Sequence, residues 1–305
     1  MSIDRRGFIN QVGVASAAVL INPFKSFANP METMSAAGYE LIVLGTNWGF
    51  SGTIQEFCAR IKADGFDGAE IWYPADEKGQ QELQDAFKKN GLRFGILIGS
   101  GDANPKTNLD QFAQMLERAI KAKPLYINCH SGKDYFSFAD NKSFMDLTTI
   151  MSKESGIPVY HETHRGKSLY SAPITKGFIN SLPELRVTLD ISHWCNVHES
   201  MLDDQKETVA LALSRTDHIH ARIGHPEGPQ VSDPRAPEWK FAADAHFGWW
   251  DRVVEQKKKE GKRMTILTEF GPPDYMPTTA YTRQPLADQW QINKYMLDVL
   301  RKRYS

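Results

Sequence analysis

The chain has 305 residues, 41% hydrophobic and 24% charged, the composition of an ordinary soluble globular protein with enough length for one large domain. Thirty-six basic and 37 acidic side chains leave a formal net charge of -1, so no global field holds nucleic acid or an anionic membrane, and partners must be read from sites. Cys58, Cys129 and Cys195 are too few and too scattered for a disulfide framework or zinc ribbon and read as buried small hydrophobes, although Cys129 and Cys195 fall near two expected strand ends and leave an oxidised pair open.

The first segment is a separate object. "MSIDRRGFINQVGVASAAVLINPFKSFANP" joins a basic start, an apolar stretch from Val12 to Ile21 and a small-residue step at Ser26-Phe27-Ala28. Arg5 and Arg6, followed by Gly7, Phe8 and Ile9, resemble a twin-arginine signal. The resemblance implies that residues 1–28 address a folded chain to the twin-arginine export machinery and so to the periplasm. The apolar run is too short to span a bilayer, so no stable membrane insertion is expected.

Beyond it a pattern recurs eight times: a short apolar, β-rich run, a polar turn, then an amphipathic stretch. The runs are "ELIVLGT" from Glu40, "GAEIWYP" from Gly68, "RFGILIGS" from Arg93 and "LYINCHSG" from Leu125, then "PVYHETH" from Pro158, "RVTLDISH" from Arg186, "DHIHARIG" from Asp217 and "MTILTEFG" from Met264. Between them lie helical candidates such as "TIQEFCARIKADG" from Thr53, "NLDQFAQMLERAIKAK" from Asn108 and "FGWWDRVVEQKKKEG" from Phe247, with a last one from Pro285. Gly65, Gly91, Gly156 and Gly261 stand where C-terminal caps belong. Eight βα units over residues 38–305 predict an α/β protein built as a single (β/α)8 TIM barrel. An open doubly wound sheet is the rival, but "GTNWGFSG" after the first run lacks the G-x-G-x-x-G phosphate turn. The lysine run "KKKEGKR" reads as the solvated end of the seventh helix.

In such a barrel the chemistry sits at the C-terminal strand tips. Four consecutive tips carry metal-type side chains: Glu162, Asp190, His220 and Glu269. Period-two alternation turns Tyr160, Glu162 and His164 to one face of the fifth strand and His161 to the other. It likewise places His218, His220 and Arg222 together on the seventh. Three carboxylates and one imidazole form a mainly hard ligand set for one divalent cation, best matched by Mn²⁺, with Mg²⁺, Co²⁺ or Zn²⁺ as alternatives. Its open positions suit adjacent oxygens of a sugar, and the ion would stabilise the charge left when a proton leaves the carbon beside a carbonyl.

"HETH", "LDISH", "HIHAR", "GPQVSDP" and "TEFGPP" together resemble the xylose isomerase-like TIM-barrel superfamily, the sugar phosphate isomerase and epimerase group, over roughly residues 38 to 300. The resemblance implies that Glu162, Asp190, His220 and Glu269 bind the metal, that Glu162 and Glu269 also act as acid and base on opposite faces of the substrate, and that His193 contacts substrate. Arg222 is the natural electrophile near a substrate oxygen, with a salt bridge to a loop carboxylate as its alternative role. His130 and His164 are further substrate-site candidates, Glu70 and Trp72 share a face of the second strand, and Trp48 and Trp72 offer stacking surfaces for a sugar. The AP-endonuclease branch of the group is disfavoured: Trp72 and Arg235 stand where extra histidine ligands would be needed, and neither export nor neutral charge suits DNA repair.

The sequence therefore points to a metal-dependent sugar isomerase or epimerase acting through an enediolate. Its substrate would be a small unphosphorylated sugar or glycoside derivative. A lyase or dehydratase on a keto-sugar or keto-glycoside, and a non-catalytic periplasmic sugar-binding protein, are the alternatives. Members of the superfamily often form homo-oligomers, though no seam is legible here.

Overall fold

The computed structural model describes residues 38–305, so the export signal expected over residues 1–28 lies outside the described residues. The chain begins with β1 (Glu40–Thr46), α1 (Ile54–Ala63), β2 (Gly68–Trp72), α2 (Glu77–Asn90), β3 (Arg93–Ile98) and α3 (Pro105–Lys121). It continues through β4 (Ile127–Cys129), α4 (Phe138–Ser155), β5 (Val159–Glu162), α5 (Ala172–Ser181), β6 (Val187–Leu189) and α6 (Ile191–Val197). Then follow α7 (Lys206–Ser214), β7 (Thr216–Ala221), α8 (Lys240–Glu260), β8 (Arg263–Thr268) and α9 (Gln289–Tyr304). Every strand pairs in parallel with its neighbours in sequence order, and β1 closes on β8. The single (β/α)8 barrel is thus the observed fold, and the open sheet is excluded.

Alternation sorts each strand into two sets. Val43, Ile71, Ile219 and Ile266 join the core beneath the helices, while Ile42, Leu44, Tyr126, Tyr160 and Leu267 form a separate cluster in the barrel interior. Gly95 makes that interior possible, because a Cβ there would lie 2.4 Å from the Tyr126 ring. The aromatic plug fills the N-terminal part of the barrel and leaves the C-terminal end to polar side chains.

Local signals set the helix starts. Thr53 caps α1 in a reciprocal box with Glu56, and Asp288 caps α9 by accepting from the amides of Trp290 and Gln291. Two helices begin earlier than the sequence reading placed them. Asn104 accepts from the Lys106 and Thr107 amides and Pro105 opens α3, three residues before Asn108. Helix α8 starts at Lys240, because Ala242, Ala243 and His246 extend its buried stripe. Gly91, Gly156 and Gly261 do end α2, α4 and α8 in the left-handed conformation.

Two expectations need correction. The lysine run is not all solvated: Lys257 is 1% exposed and pairs with Asp217 of β7, which also accepts two hydrogen bonds from Arg186 at 2.5 and 2.6 Å. The long lysine stem crosses the apolar face of α8 to bring its ammonium to that carboxylate. Cys129 and Cys195 are both free and buried, packed in different apolar clusters, so they form no disulfide. Among the described residues no helix is long and apolar enough to cross a membrane.

Candidate metal centre

The end of β5 divides its polar cluster by parity. Glu162 turns inward, while His161 turns to the helix layer, where its ring nitrogens contact Ser131 Oγ at 2.5 Å and Thr148 Oγ1 at 2.8 Å. Burial pulls the His161 pKa down to about 3, so the ring stays neutral and structural. One strand on, Asp190 caps α6, accepting from Ser192 N at 3.1 Å and Ser192 Oγ at 2.5 Å. His220 projects from β7 into the interior and Glu269 follows the last residue of β8.

Ligand-type atoms of Glu162, Asp190, His220 and Glu269 all lie within 4.8 Å of one another. His220 Nδ1 is 2.8 Å from Glu269 Oε2 and 3.6 Å from Glu162 Oε2. Glu162 Oε1, His220 Nδ1 and Glu269 Oε2 are nevertheless buried without a hydrogen bond. Buried polar atoms nearly always have partners, and three electron-pair donors left over at one point have the chemistry of a cation site. The donor set of three carboxylates and one imidazole therefore fits a divalent ion.

The electrostatics agree with a site short of positive charge. Arg222, 1% exposed, pairs with Asp190, and its Nη2 lies 3.6 Å from Glu269 Oε2. Burial raises the Asp190 pKa, Arg222 opposes this and Glu269 and Glu162 add to it, with a result of about 7. At Glu162 burial also disfavours the charge, but His130 and His220 outweigh it and hold the carboxyl well below its usual range. At His220 burial is outweighed by Glu269, Glu162 and Glu70, which push the imidazole well above its usual value.

Above the cluster is a cavity of about 200 Å³. Larger hollows at the opposite rim lie beside Arg186 and Asp217, where ion pairs take up the charged groups. Trp48, Trp72, His130, His164, Arg222 and Glu269 all line the cavity. Trp72 is 52% exposed and meets the His130 ring edge-on at 5.4 Å. Trp48 is seated by Gly271, where a Cβ would lie 2.3 Å from the indole. Gln230 of the "GPQVSDP" stretch braces that glycine through both backbone atoms, at 2.7 and 3.1 Å, whereas Asp233 and Arg235 pair with each other at the surface.

The other sequence candidates divide between the cavity wall and the packing behind it. His130, His164 and His193 form a row of rings with centroids 4.5 and 3.9 Å apart. His130 Nε2 is 2.9 Å from Glu162 Oε2, but His193 is fully buried behind His164 and accepts from Arg222 Nη2 at 2.8 Å, so it presents no surface to the cavity. Glu70 lies at the cavity floor, 2% exposed, with its carboxylate against His218 and His220. Two further residues were not anticipated. Tyr275 closes one wall, with the Arg165 and Arg222 guanidinium groups 5.0 and 4.7 Å from its ring, and it sits in a loop with no periodic signal. Asn128 donates to Glu162 Oε2 at 2.8 Å, and period-two alternation counted back from His130 would have found it on the same face.

A family model described as "Xylose isomerase-like TIM barrel" matches residues 58–235. No curated protein matches the chain in sequence. Among solved structures, 3-keto-D-glucoside 4-epimerase from E. coli is 19% identical with a TM-score of 0.58, covering 86% of this chain and 99% of that one. D-allulose 3-epimerase from Methylomonas sp. is 15% identical with a TM-score of 0.60, covering 86% and 98%. Endonuclease IV from Thermus thermophilus is 14% identical with a TM-score of 0.51, covering 86% and 97%. At these identities the likeness is one of fold, and one fold serves different chemistries.

Proposed function

Because the chain belongs to the xylose isomerase-like TIM barrel family, we propose that it is a divalent-metal-dependent sugar isomerase or epimerase that moves a proton beside a carbonyl. The observation that carries the reading is the convergence of Glu162, Asp190, His220 and Glu269 from four consecutive strand tips, with three of their ligand atoms left unpartnered. Those four residues would hold the ion, with Mn²⁺ the best match to the donor set. When bound, it would supply positive charge where a substrate carbonyl oxygen becomes negative.

The chain's own residues would do the rest. Asn128 and His130 both contact Glu162 Oε2, and His130 and His220 hold the carboxyl well below its usual range, so Glu162 starts as an ionised base. It would take the proton from the carbon next to the carbonyl, and Glu269, entering the step as its protonated acid form from the other side of the barrel mouth, would deliver its own proton to the opposite face, the two carboxyl groups then exchanging protons with solvent. Arg222, fixed by Asp190, places a permanent cation at the cavity edge for a substrate oxygen. Trp48, Trp72 and Tyr275 give apolar surfaces for a sugar ring, and His130 and His164 give polar ones. The names of two fold neighbours, a keto-glucoside epimerase and an allulose epimerase, support an unphosphorylated sugar or glycoside as substrate.

Turnover of keto-sugars and keto-glycosides in D₂O with Mn²⁺ tests the reading. One solvent deuteron on the carbon beside the carbonyl is the expected result. A product lacking water or an aglycone would assign a lyase instead, and tight saccharide binding with no carbon-bound exchange would assign a binding protein. The proposal places this chemistry in the periplasm on the strength of Arg5 and Arg6 in the first segment. Retention of an R5K/R6K variant in the cytoplasm is the matching result, and normal export of that variant would count against it.

A further inference from the structure

The structure separates the two nitrogens of His220. Nδ1 faces the other ligand atoms, 2.8 Å from Glu269 Oε2. Nε2 faces into the barrel, 3.1 Å from Glu70 Oε1. Glu70 comes from β2, which is not a sheet neighbour of β7, so this contact spans the barrel interior. The Glu70 carboxylate is 2% exposed, and a charge so deeply buried is costly unless a specific set of groups requires it.

Its surroundings supply such a set. Asn128 Nδ2 lies 2.8 Å from Glu162 Oε2, 3.3 Å from Glu70 Oε1 and 3.2 Å from His220 Nε2. Its two hydrogens match the two carboxylates, which leaves the Nε2 position of His220 to carry its own proton toward Glu70. Glu70 Oε2 lies 3.2 Å from His218 Nε2, and His218 is itself fixed by Thr265 Oγ1 at 2.8 Å and Tyr126 Oη at 3.0 Å. Glu70 Oε2 has no hydrogen-bond partner of its own, and Asn128 ties Glu70 to a second ligand-type residue, Glu162.

We propose that Glu70 is a positioning residue of the metal centre: it accepts the Nε2–H of His220 and so fixes the tautomer whose bare Nδ1 faces the cation. This rests on the metal-dependent reading above. A ligating imidazole must offer an unprotonated nitrogen, and a carboxylate on its other nitrogen both orients the ring and makes it a better donor. In this role Glu70 acts on the cation through His220.

The test measures Mn²⁺ affinity, without turnover, by chelator competition for the wild-type chain and the Glu70→Gln variant, with circular dichroism as the check on folding. A variant that folds as the wild type and binds Mn²⁺ about 10- to 100-fold more weakly is the expected result. Nitrogen-15 spectra of the Zn²⁺-loaded wild-type protein give a second measurement that does not depend on the variant folding. They should show His220 protonated at Nε2 and metallated at Nδ1. Equal Mn²⁺ affinity in a folded E70Q chain, or His220 protonated at Nδ1 with Zn²⁺ bound, overturns the role of Glu70 while leaving the metal site standing. A wild-type chain that takes up neither ion overturns the metal reading and this inference with it.

Discussion

At Asp190 one carboxylate serves two neighbours, capping α6 through Ser192 and pairing with Arg222. Burial and the adjacent Glu269 and Glu162 outweigh Arg222 and leave its pKa at about 7. A cation must therefore displace a proton, and His220, pushed above its usual value, must release another. Mn²⁺ uptake by the metal-free chain is expected to weaken by at least about tenfold per pH unit below 7, which calorimetric titrations on both sides of neutrality would measure. An affinity flat across that range contradicts the assignment. Much of this residue-level arrangement was legible, because parity alone sends Glu162 inward and His161 outward. What was not legible follows from the same limit. Tyr275 lies in a loop without period, and whether His193 faces a cavity or hides behind His164 is decided by packing that no spacing encodes.

At the scale of elements, the eight strands begin within a few residues of the apolar runs that announce them, because β-branched and apolar runs buried on both faces have few other solutions. Helix ends were read less well. Asn104 and Pro105 mark the start of α3, a capping signal that hydrophobic spacing alone does not register. Gly261 marks the end of α8, but its row of lysines reads as solvated although Lys257 is the buried partner of a β7 carboxylate. Asp217 joins Arg186 and Lys257 at the N-terminal rim, so Asp217→Ala would leave the Lys257 ammonium buried without its closest anion. The expected loss is about 3 kcal/mol, read by urea denaturation, with the activity per folded molecule unchanged because the rim lies at the opposite end from the cavity. A loss under about 1 kcal/mol would mean that Glu260, 3.7 Å from Lys257 Nζ, takes over the charge.

For the whole molecule, closure of the sheet is what joins residues as far apart in sequence as Glu70 and Glu269 into one site, and the eightfold alternation made that closure readable. Closure also buries neutral histidines. His161 and His246 have pKa values pulled by burial to about 3 and about 4, below the roughly 6.5 of an unfolded chain. Between those values the unfolded state binds more protons, so their contribution to stability is complete above about pH 6.5 and is lost as pH falls. Replacing His161 by Gln removes one such proton. The stability gap between wild type and H161Q should then narrow by about 1.4 kcal/mol per pH unit on acidification through that window. A gap independent of pH would show that His161 is charged in the folded chain.

The most direct measurement for the account is metal analysis of the purified wild-type chain beside its Asp190→Asn, Glu269→Gln and His161→Ala variants. One divalent ion per wild-type chain, little in D190N and E269Q and a full complement in H161A is the expected pattern. Normal metal content in both carboxylate variants would contradict it.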